Sequence, residues 1–545
     1  MVATELRTKK TVRLVPPFPA SPPFNQGSDD LVVAYFASAE LSSYLALGWP
    51  FPANVADLYA EFRLLLSGLS APHGFNLLGA LAFFGIPGIE SVEKASMREL
   101  AMRGGPFTES EIAALLDYCA TDVEALSRLL PVMAPALDFP RCLIRGEYMK
   151  AVADIEFRGV PIDAAHLELL LRDWEKAQLQ IVQQIDADYG VFDGLTFKVE
   201  RWENFLGSHE IPWPRLESGT LALNDDTFKA MAVTYPIIEP IRQVRRSLSQ
   251  LRLKEFAFGK DGRHRFMISP FGGKTGRNQP STSRFIFGGP AWVRNLMLPS
   301  ASNRLVYVDY AQQEFGIAAA LSGDGNMLAA YSSGDPYLQF AIMAGAAPTG
   351  ATKQSHSAQR ELFKACALGV QYGMQAESLA TRINQSPAHA RELLRLHRET
   401  FPKYWSWSDN IQDFAMLRGK LTATFGWQVN VGPNANVRSL RNFPLQANGA
   451  EMLRLACILG RERGVQICAP VHDALLIEAT HGNVDEMITA CQKAMEDASA
   501  AVLDGFRLGT DVKIMDQDRR FDDPRGRQMW DIICRIVPPN LEMAA

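Results

Sequence analysis

With 545 residues, 47% of them hydrophobic and 21% charged, the chain has a globular composition and is too long for one core; three or four domains are expected. No apolar run reaches 18 residues, which argues against a helical membrane span, and the opening Met-Val-Ala-Thr-Glu-Leu-Arg-Thr-Lys-Lys lacks an apolar signal core, so a cytoplasmic location is expected. A formal net charge of −5 does not advertise an anionic partner, and seven cysteines with no Cys-x-x-Cys spacing fit reduced thiols and no structural zinc.

Residues 13–30, rich in Pro, Ser, Asn and Gly, read as a loop. Leu31 to Phe36 reads as a buried strand leading into Ala39-Glu-Leu-Ser-Ser-Tyr-Leu, and Asp57 opens a helical pattern. Glu109 to Leu130 is strongly helical and carries Tyr118 and Asp122 four apart on one face; with Glu40 they could belong to a metal-dependent nuclease site. Pro131 to Pro140 reads as a boundary. A long helix then runs from Arg145 to Glu156, breaks at Phe157-Arg-Gly-Val-Pro, and Asp163 caps the next. Between Arg242 and Arg265 stand eight Lys or Arg (242, 245, 246, 252, 254, 260, 263, 265) against Glu255 and Asp261, extended by Lys274, Arg277, Arg284 and Arg294. Such a stretch can hold a phosphate backbone inside an acidic protein, or it can be a solvated helix face.

Arg304-Leu-Val-Tyr-Val-Asp309 is an apolar strand ending in an acid, followed by an Ala-rich helix that closes before Asp324. An Asp at the tip of a buried strand is poor packing material; it is placed either to hold a metal or to cap the next helix. In Arg360 to Gly373, a helix sets Arg360, Lys364, Leu368 and Tyr372 at four-residue steps over about 18 Å: two cations, an apolar residue, an aromatic hydroxyl. A nucleoside triphosphate has that layout, and a solvated edge is the bland alternative. Gly369 and Gly373 are costly in a helix and call for a close approach. At 164 residues beyond Asp309, Gln466 to Ala479 reads as two strands around His472-Asp473. The turn alone is ordinary chemistry. Paired with Asp309, however, it supplies carboxylates for two divalent ions about 3.5–4 Å apart, with Arg360 and Lys364 completing charge neutralisation of a phosphoryl transfer.

Asp309-Tyr-Ala-Gln-Gln-Glu314 resembles the Asp-Tyr-Ser-Gln-Ile-Glu of family A DNA polymerases, the DNA polymerase I group. Arg360-x3-Lys364-x7-Tyr372-Gly373 is similar to that family's fingers helix, Val471-His472-Asp473 to its palm hairpin, and Arg438-x3-Asn442-x-Pro444-x-Gln446 and Thr275-Gly276-Arg277 to its template and primer contacts. The motifs occur in the family's order across residues 145–515. The resemblance implies an α+β multidomain right-hand polymerase with helical fingers and an antiparallel palm sheet. Its parts would be an incomplete 3′–5′ exonuclease-like domain of ribonuclease H type (1–135), thumb and connection (136–265), palm (266–324), fingers (325–430), then the second part of the palm with a C-terminal extension (431–545).

It implies a small phage or bacterial enzyme that adds dNTPs to a primer 3′-hydroxyl in replication or repair, acting as a monomer on primer–template DNA with two Mg²⁺ ions. Asp309 and Asp473 would be the catalytic metal ligands. Arg360, Lys364, Leu368, Tyr372, Gln312 and Glu314 would surround the dNTP, with Glu314 as steric gate against a 2′-hydroxyl. Arg277, Arg438, Asn442, Gln446, His472 and Gly373 would meet primer and template. Tyr118 and Asp122 match the third exonuclease motif and Glu40 falls where the second has Asp. The first, Asp-x-Glu, has no counterpart, so Glu40, Tyr118 and Asp122 are expected to be a structural remnant. No 5′-nuclease is expected. Two departures bear on catalysis: Ala474 stands where the hairpin motif has Glu, and Leu368 where the family has Phe or Tyr. They keep open a silent primer–template-binding protein as the alternative, while Glu314 disfavours an RNA polymerase.

Overall fold

The computed structural model describes residues 1–88, 91–250, 256–432 and 435–539. Its centre is a four-stranded antiparallel sheet. Strand β1 (Asn303–Tyr310) lies between β3 (Ala474–Thr480) and β4 (Thr510–Met515), and β2 (Gln466–Val471) forms the outer edge beside β3. Alternation along β1 turns Val306, Val308 and Tyr310 to one face and Leu305, Tyr307 and Asp309 to the other. The first face is covered by two helices, α8 (Val437–Glu462) and α9 (Val484–Val502), and the Tyr310 hydroxyl donates to the Met495 carbonyl at 2.6 Å. The second face carries Asp309.

Helix α6 (Gln313–Ser322) follows β1 directly, and α7 (Ser357–Gln371) belongs to a helical layer running from residue 325 to 418. Gly373 ends α7 with φ +67°, and Gly369 sits against Leu379 and Met374, where an added Cβ would come within 3.3 and 3.4 Å. The cost of both glycines is thus explained by a left-handed turn and by side-chain packing. Tyr372 lies just past the helix, as its C-cap.

The N-terminal unit supplies a two-stranded parallel pair, Val32–Ala34 beside Val55–Asp57, and helices α1 (Ser38–Leu47), α2 (Leu58–Leu66) and α3 (Glu109–Met133). The strand expected over Leu31–Phe36 is shorter, because Phe36 takes a left-handed φ of +71°. Asp57 caps α2 and also accepts the amides of Phe36 (2.9 Å) and Ala37 (3.0 Å). Ala34, Ala37, Leu41, Val55 and Ala60 share one apolar core with α4 (Phe139–Arg158) and the sheet, so this unit is fused to the rest. Under that seam, Arg145 of α4 holds Glu61 of α2 by two hydrogen bonds (2.5 and 2.8 Å), both side chains buried. Helix α5 (Ala164–Asp186) begins at Asp163, which caps it through the His166 amide.

Among the described residues of the basic stretch, four cations are engaged within the fold. Arg242 bonds Asp225 and Glu239, Arg245 lies over Phe197 and Phe228, Arg263 pairs with Glu478 and Arg265 with Asp261. Arg252, Lys254 and Glu255 lie outside the described residues. The C-terminal helix α10 (Pro524–Ile536), for which the sequence offered no reading, packs Trp530 on Trp292 and His166.

Glycine at 146 is imposed by the seam: a Cβ there would lie 1.9 Å from the Val55 carbonyl oxygen, whereas one on Gly207 meets nothing within 4 Å. Gly146→Ala is expected to destabilise the protein by about 1–3 kcal/mol or more through overpacking. Gly207→Ala, also in a helix, should stabilise it by up to about 1 kcal/mol. Denaturant melts of the two variants check the opposite signs.

Candidate active site

The register of the sheet builds the site. β2 and β3 are joined by the two-residue turn His472-Asp473, and β3 pairs with β1 so that Ala474 stands opposite Asp309. The turn therefore projects Asp473 beside Asp309, and the Tyr310 amide donates to the Asp473 carbonyl at 3.3 Å. His472 adopts φ +55°, a left-handed conformation that costs a side chain about 1–2 kcal/mol and marks a functional turn. The two carboxyls share a hydrogen bond. Burial first, then the charge of Asp473, pushes Asp309 up to about 7; burial likewise raises Asp473. Asp309 Oδ1 is buried without a hydrogen-bond partner, and Asp309 does not cap α6, whose N-cap is Gln312 at φ +44°.

Two adjacent carboxylates, one with an orphaned oxygen, are a donor set suited to a hard divalent cation. Among the described residues no group of three or more His, Cys, Asp or Glu is arranged to hold a metal. Mg²⁺ is commonly bound by one or two carboxylates plus substrate phosphates and water, so two acids suffice for such a site. Asp511 of β4 flanks Asp309 opposite Ala474, exposed, and its charge also bears on Asp309.

Around this pair the other predicted residues fall into two groups. Glu314, in the first turn of α6, accepts from the Tyr372 hydroxyl (2.6 Å) and from Gln446 of α8 (2.5 Å), tying three of them together. Burial and then Glu314 hold the Tyr372 phenol up at about 12. Arg360 is nearly buried: its guanidinium bonds Asp335 and, at 2.6 Å, Glu361, and it stacks with Lys364 over the Tyr337 ring. Arg360 is thus no solvated edge. Leu368 is half-buried between Lys364 and Tyr372.

In the second group, only Arg277 and His472 are tied to the acid pair. The charge of Arg277 reaches His472, Asp473 and Tyr372, and its Nε is buried without a partner, as is Asn442 Oδ1 on α8. Arg438 is exposed at the start of α8, beside Gly373. Burial depresses the His472 imidazole, with Arg277, Arg294 and Arg525 pushing the same way.

Residues 289–517 match the sequence profile of DNA polymerase family A. Among its relatives, a thermostable DNA polymerase I of Thermus thermophilus is 26% identical over 378 residues, covering 64% of this chain and 45% of that protein. DNA polymerase I of Aquifex aeolicus (strain VF5) is 23% identical over 432 residues, covering 72% and 73% respectively. The chain therefore spans under half the length of its Thermus relative. The fold is also that of a solved polymerase domain, the POL domain of Pol1 from M. smegmatis in complex with DNA primer-template and dNTP. The TM-score is 0.66 at 18% identity, over 89% of this chain and 85% of that one.

The N-terminal candidates belong to a different part of the fold. Glu40 keeps an exposed edge in otherwise dense surroundings; that desolvation, with the charges of Asp57 and Asp122, raises its carboxyl to about 8. Tyr118 hydrogen-bonds Asp122. Asp57, the nearby third acid, has its oxygens taken by backbone amides.

Sequence reading missed Asp335, Tyr337 and Asp511. Asp335-Pro336 is a helix-cap signature that could have drawn notice to the first two. Asp511, one acid on an edge strand, carries no signal of its own.

Protons and a divalent cation should compete for Asp309. Mn²⁺ binding, followed by electron paramagnetic resonance, should be weak at pH 6, where this carboxyl is mostly protonated, and tighten toward pH 8. Asp309→Asn should remove most of that binding at every pH, and a pH-independent affinity would contradict the assignment.

Proposed function

We propose that the chain is a DNA-directed DNA polymerase, adding dNTPs to a primer 3′-hydroxyl by phosphoryl transfer at Asp309 and Asp473. The observation that carries this reading is the contact between two acids 164 residues apart, one with an orphaned oxygen. In this reading the sheet is the palm, residues 325–430 are the fingers, and the helices of 136–265 are the thumb and connection. Two Mg²⁺ ions, when bound, would lower the pKa of the primer hydroxyl and neutralise charge on the leaving pyrophosphate.

The chain's own residues do the rest. Arg360 and Lys364 hold the triphosphate, with Arg360 exchanging Asp335 and Glu361 for phosphate oxygens. Tyr372 and Leu368 line the base and sugar, with Gln312 beside the strand end. Glu314, fixed by Tyr372 and Gln446, fills the space a 2′-hydroxyl needs. Arg277, Arg438, Asn442, Gln446 and His472 align primer and template. The relative with solved structure is a complex with primer-template and dNTP, which supports those partners here. A monomer working in the cytoplasm fits this reading; no described helix is long and apolar enough to cross a membrane.

One observation favours a second reading. Ala474 leaves the position opposite Asp309 without a carboxylate, as a catalytically silent primer–template-binding protein would. Primer extension separates the two. The intact chain should extend a primer, and Asp309→Ala should slow incorporation by at least about 100-fold, the scale of losing one preorganised electrostatic group; salt-sensitive DNA binding without extension would favour the silent protein. The nuclease reading of the N-terminal unit requires 3′-end degradation that Asp122→Ala abolishes.

Glu314→Ala should raise the use of rNTPs relative to dNTPs by about 10- to 100-fold, since a single steric contact discriminates by about 1–3 kcal/mol. Steady-state kcat/KM for paired nucleotides measures it.

A further inference from the structure

The loop Ser269–Gln279, which carries Lys274 and Arg277, is held in conformations it would not take alone. Ser269 has φ +49°, Phe271 +58° and Gly276 +73°, and the first two are non-glycine residues for which the left-handed region is costly. Such geometry persists only where the surroundings over-determine it. Part of the bracing comes from outside the N-terminal unit: Arg454 donates to the Gly276 carbonyl (2.6 Å), Trp427 Nε1 to that of Lys274 (3.0 Å), and Tyr148 to Asn278 Oδ1 (2.9 Å).

The rest comes from the N-terminal unit. Arg63, on α2, donates through Nε to the Phe271 carbonyl (3.0 Å) and through Nη2 to that of Gly272, while its guanidinium lies 3.9 Å from the centre of the Phe75 ring. Ser67 Oγ donates to the Lys274 carbonyl at 2.8 Å. The same segment is clamped from behind by Asn430, whose amides reach the Ser67 carbonyl (2.8 and 2.9 Å) and the Leu65 carbonyl (3.1 Å). At Gly68, φ +85°, a Cβ would lie 2.3 Å from the Asn430 carbonyl oxygen, so Asn430 and this segment are in direct contact.

We propose that segment Arg63–Gly68 of the N-terminal unit is a positioning device for DNA synthesis, fixing the loop that presents Lys274 and Arg277 to primer–template DNA. Arg63 and Ser67 are its positioning residues, acting through Arg277 and not on substrate. The unit that resembles an exonuclease then has work to do in this chain independent of any nuclease activity. The inference rests on the polymerase reading above.

The test uses the full-length chain, a fluorescent primer–template for anisotropy and single-turnover incorporation with Mg²⁺. Arg63→Ala should raise Kd for the DNA by about 5- to 10-fold, the scale of one or two lost hydrogen bonds, while the rate at saturating DNA stays within about 2-fold. Arg63→Lys should recover part of the affinity. In a double-mutant cycle, Arg63→Ala should add little once Arg277 is already Ala, because the two act on one contact. Should Arg63→Ala fail to fold, Ser67→Ala, which removes a single bond, is read alone and should raise Kd by about 2- to 3-fold. Folded variants with unchanged Kd, or effects of Arg63 and Arg277 that simply add, overturn the proposal. Failure of the wild-type chain to bind primer–template would instead overturn the polymerase reading.

Discussion

Two carboxylates set side by side at one end of the inner strands of a sheet repel each other, and the strand order 2-3-1-4 holds them there against that repulsion. At about 4 Å and an effective dielectric near 20, two unit charges interact by about 4 kcal/mol. The strands bearing them must supply an offsetting stabilisation, and they do so by burial: Val306, Val308, Leu475, Leu476 and Ile477 are fully enclosed. The pair can relieve its repulsion by sharing a proton, which is the state with Asp309 pushed up to about 7, or by taking a cation. A site with those two options is poised to exchange one for the other.

The same logic extends outward. Arg360 is neutralised by Asp335 and Glu361, and Glu314 is bonded to Tyr372 and Gln446. Arg360 and Glu314, which a triphosphate and a sugar would engage, each have internal partners in the free protein, so their part in binding is an exchange of partners and incurs less desolvation than exposing bare charge would. The exceptions are the orphaned Asp309 Oδ1, Arg277 Nε and Asn442 Oδ1, which are buried with nothing to bond. Of these, Asp309 and Arg277 stand by the hairpin, where primer, template and cation are proposed to meet.

Much of this was legible in the residues because the decisive signals are local. An apolar strand ending in Asp309, a two-residue turn at His472-Asp473, and cations spaced by one helical turn are each written in a few consecutive residues, and each formed as read. What could not be read depends on pairings across long separations. Arg263 looked like part of a cationic face because its acidic partner, Glu478, stands 215 residues on and nothing local marks it. Asp511 entered the site's field only through its register with β1, and Trp530 found its place only through the packing of α10 on Trp292. Gly369 and Gly373 were read as signs of a close approach; the approach is by side chains and a turn, a distinction spacing does not carry.

The buried pair of Arg145 and Glu61 has a consequence for how this chain could be shortened or recombined. Its two bonds join one helix on each side of the seam, with both heads removed from water. A domain exchange that kept α4 but replaced α2 would strand a guanidinium in a dry interior, a penalty of about 3–5 kcal/mol, comparable to the net stability of many domains. The two halves are therefore heritable only as a unit, unless arginine and glutamate are lost together for apolar side chains of similar bulk.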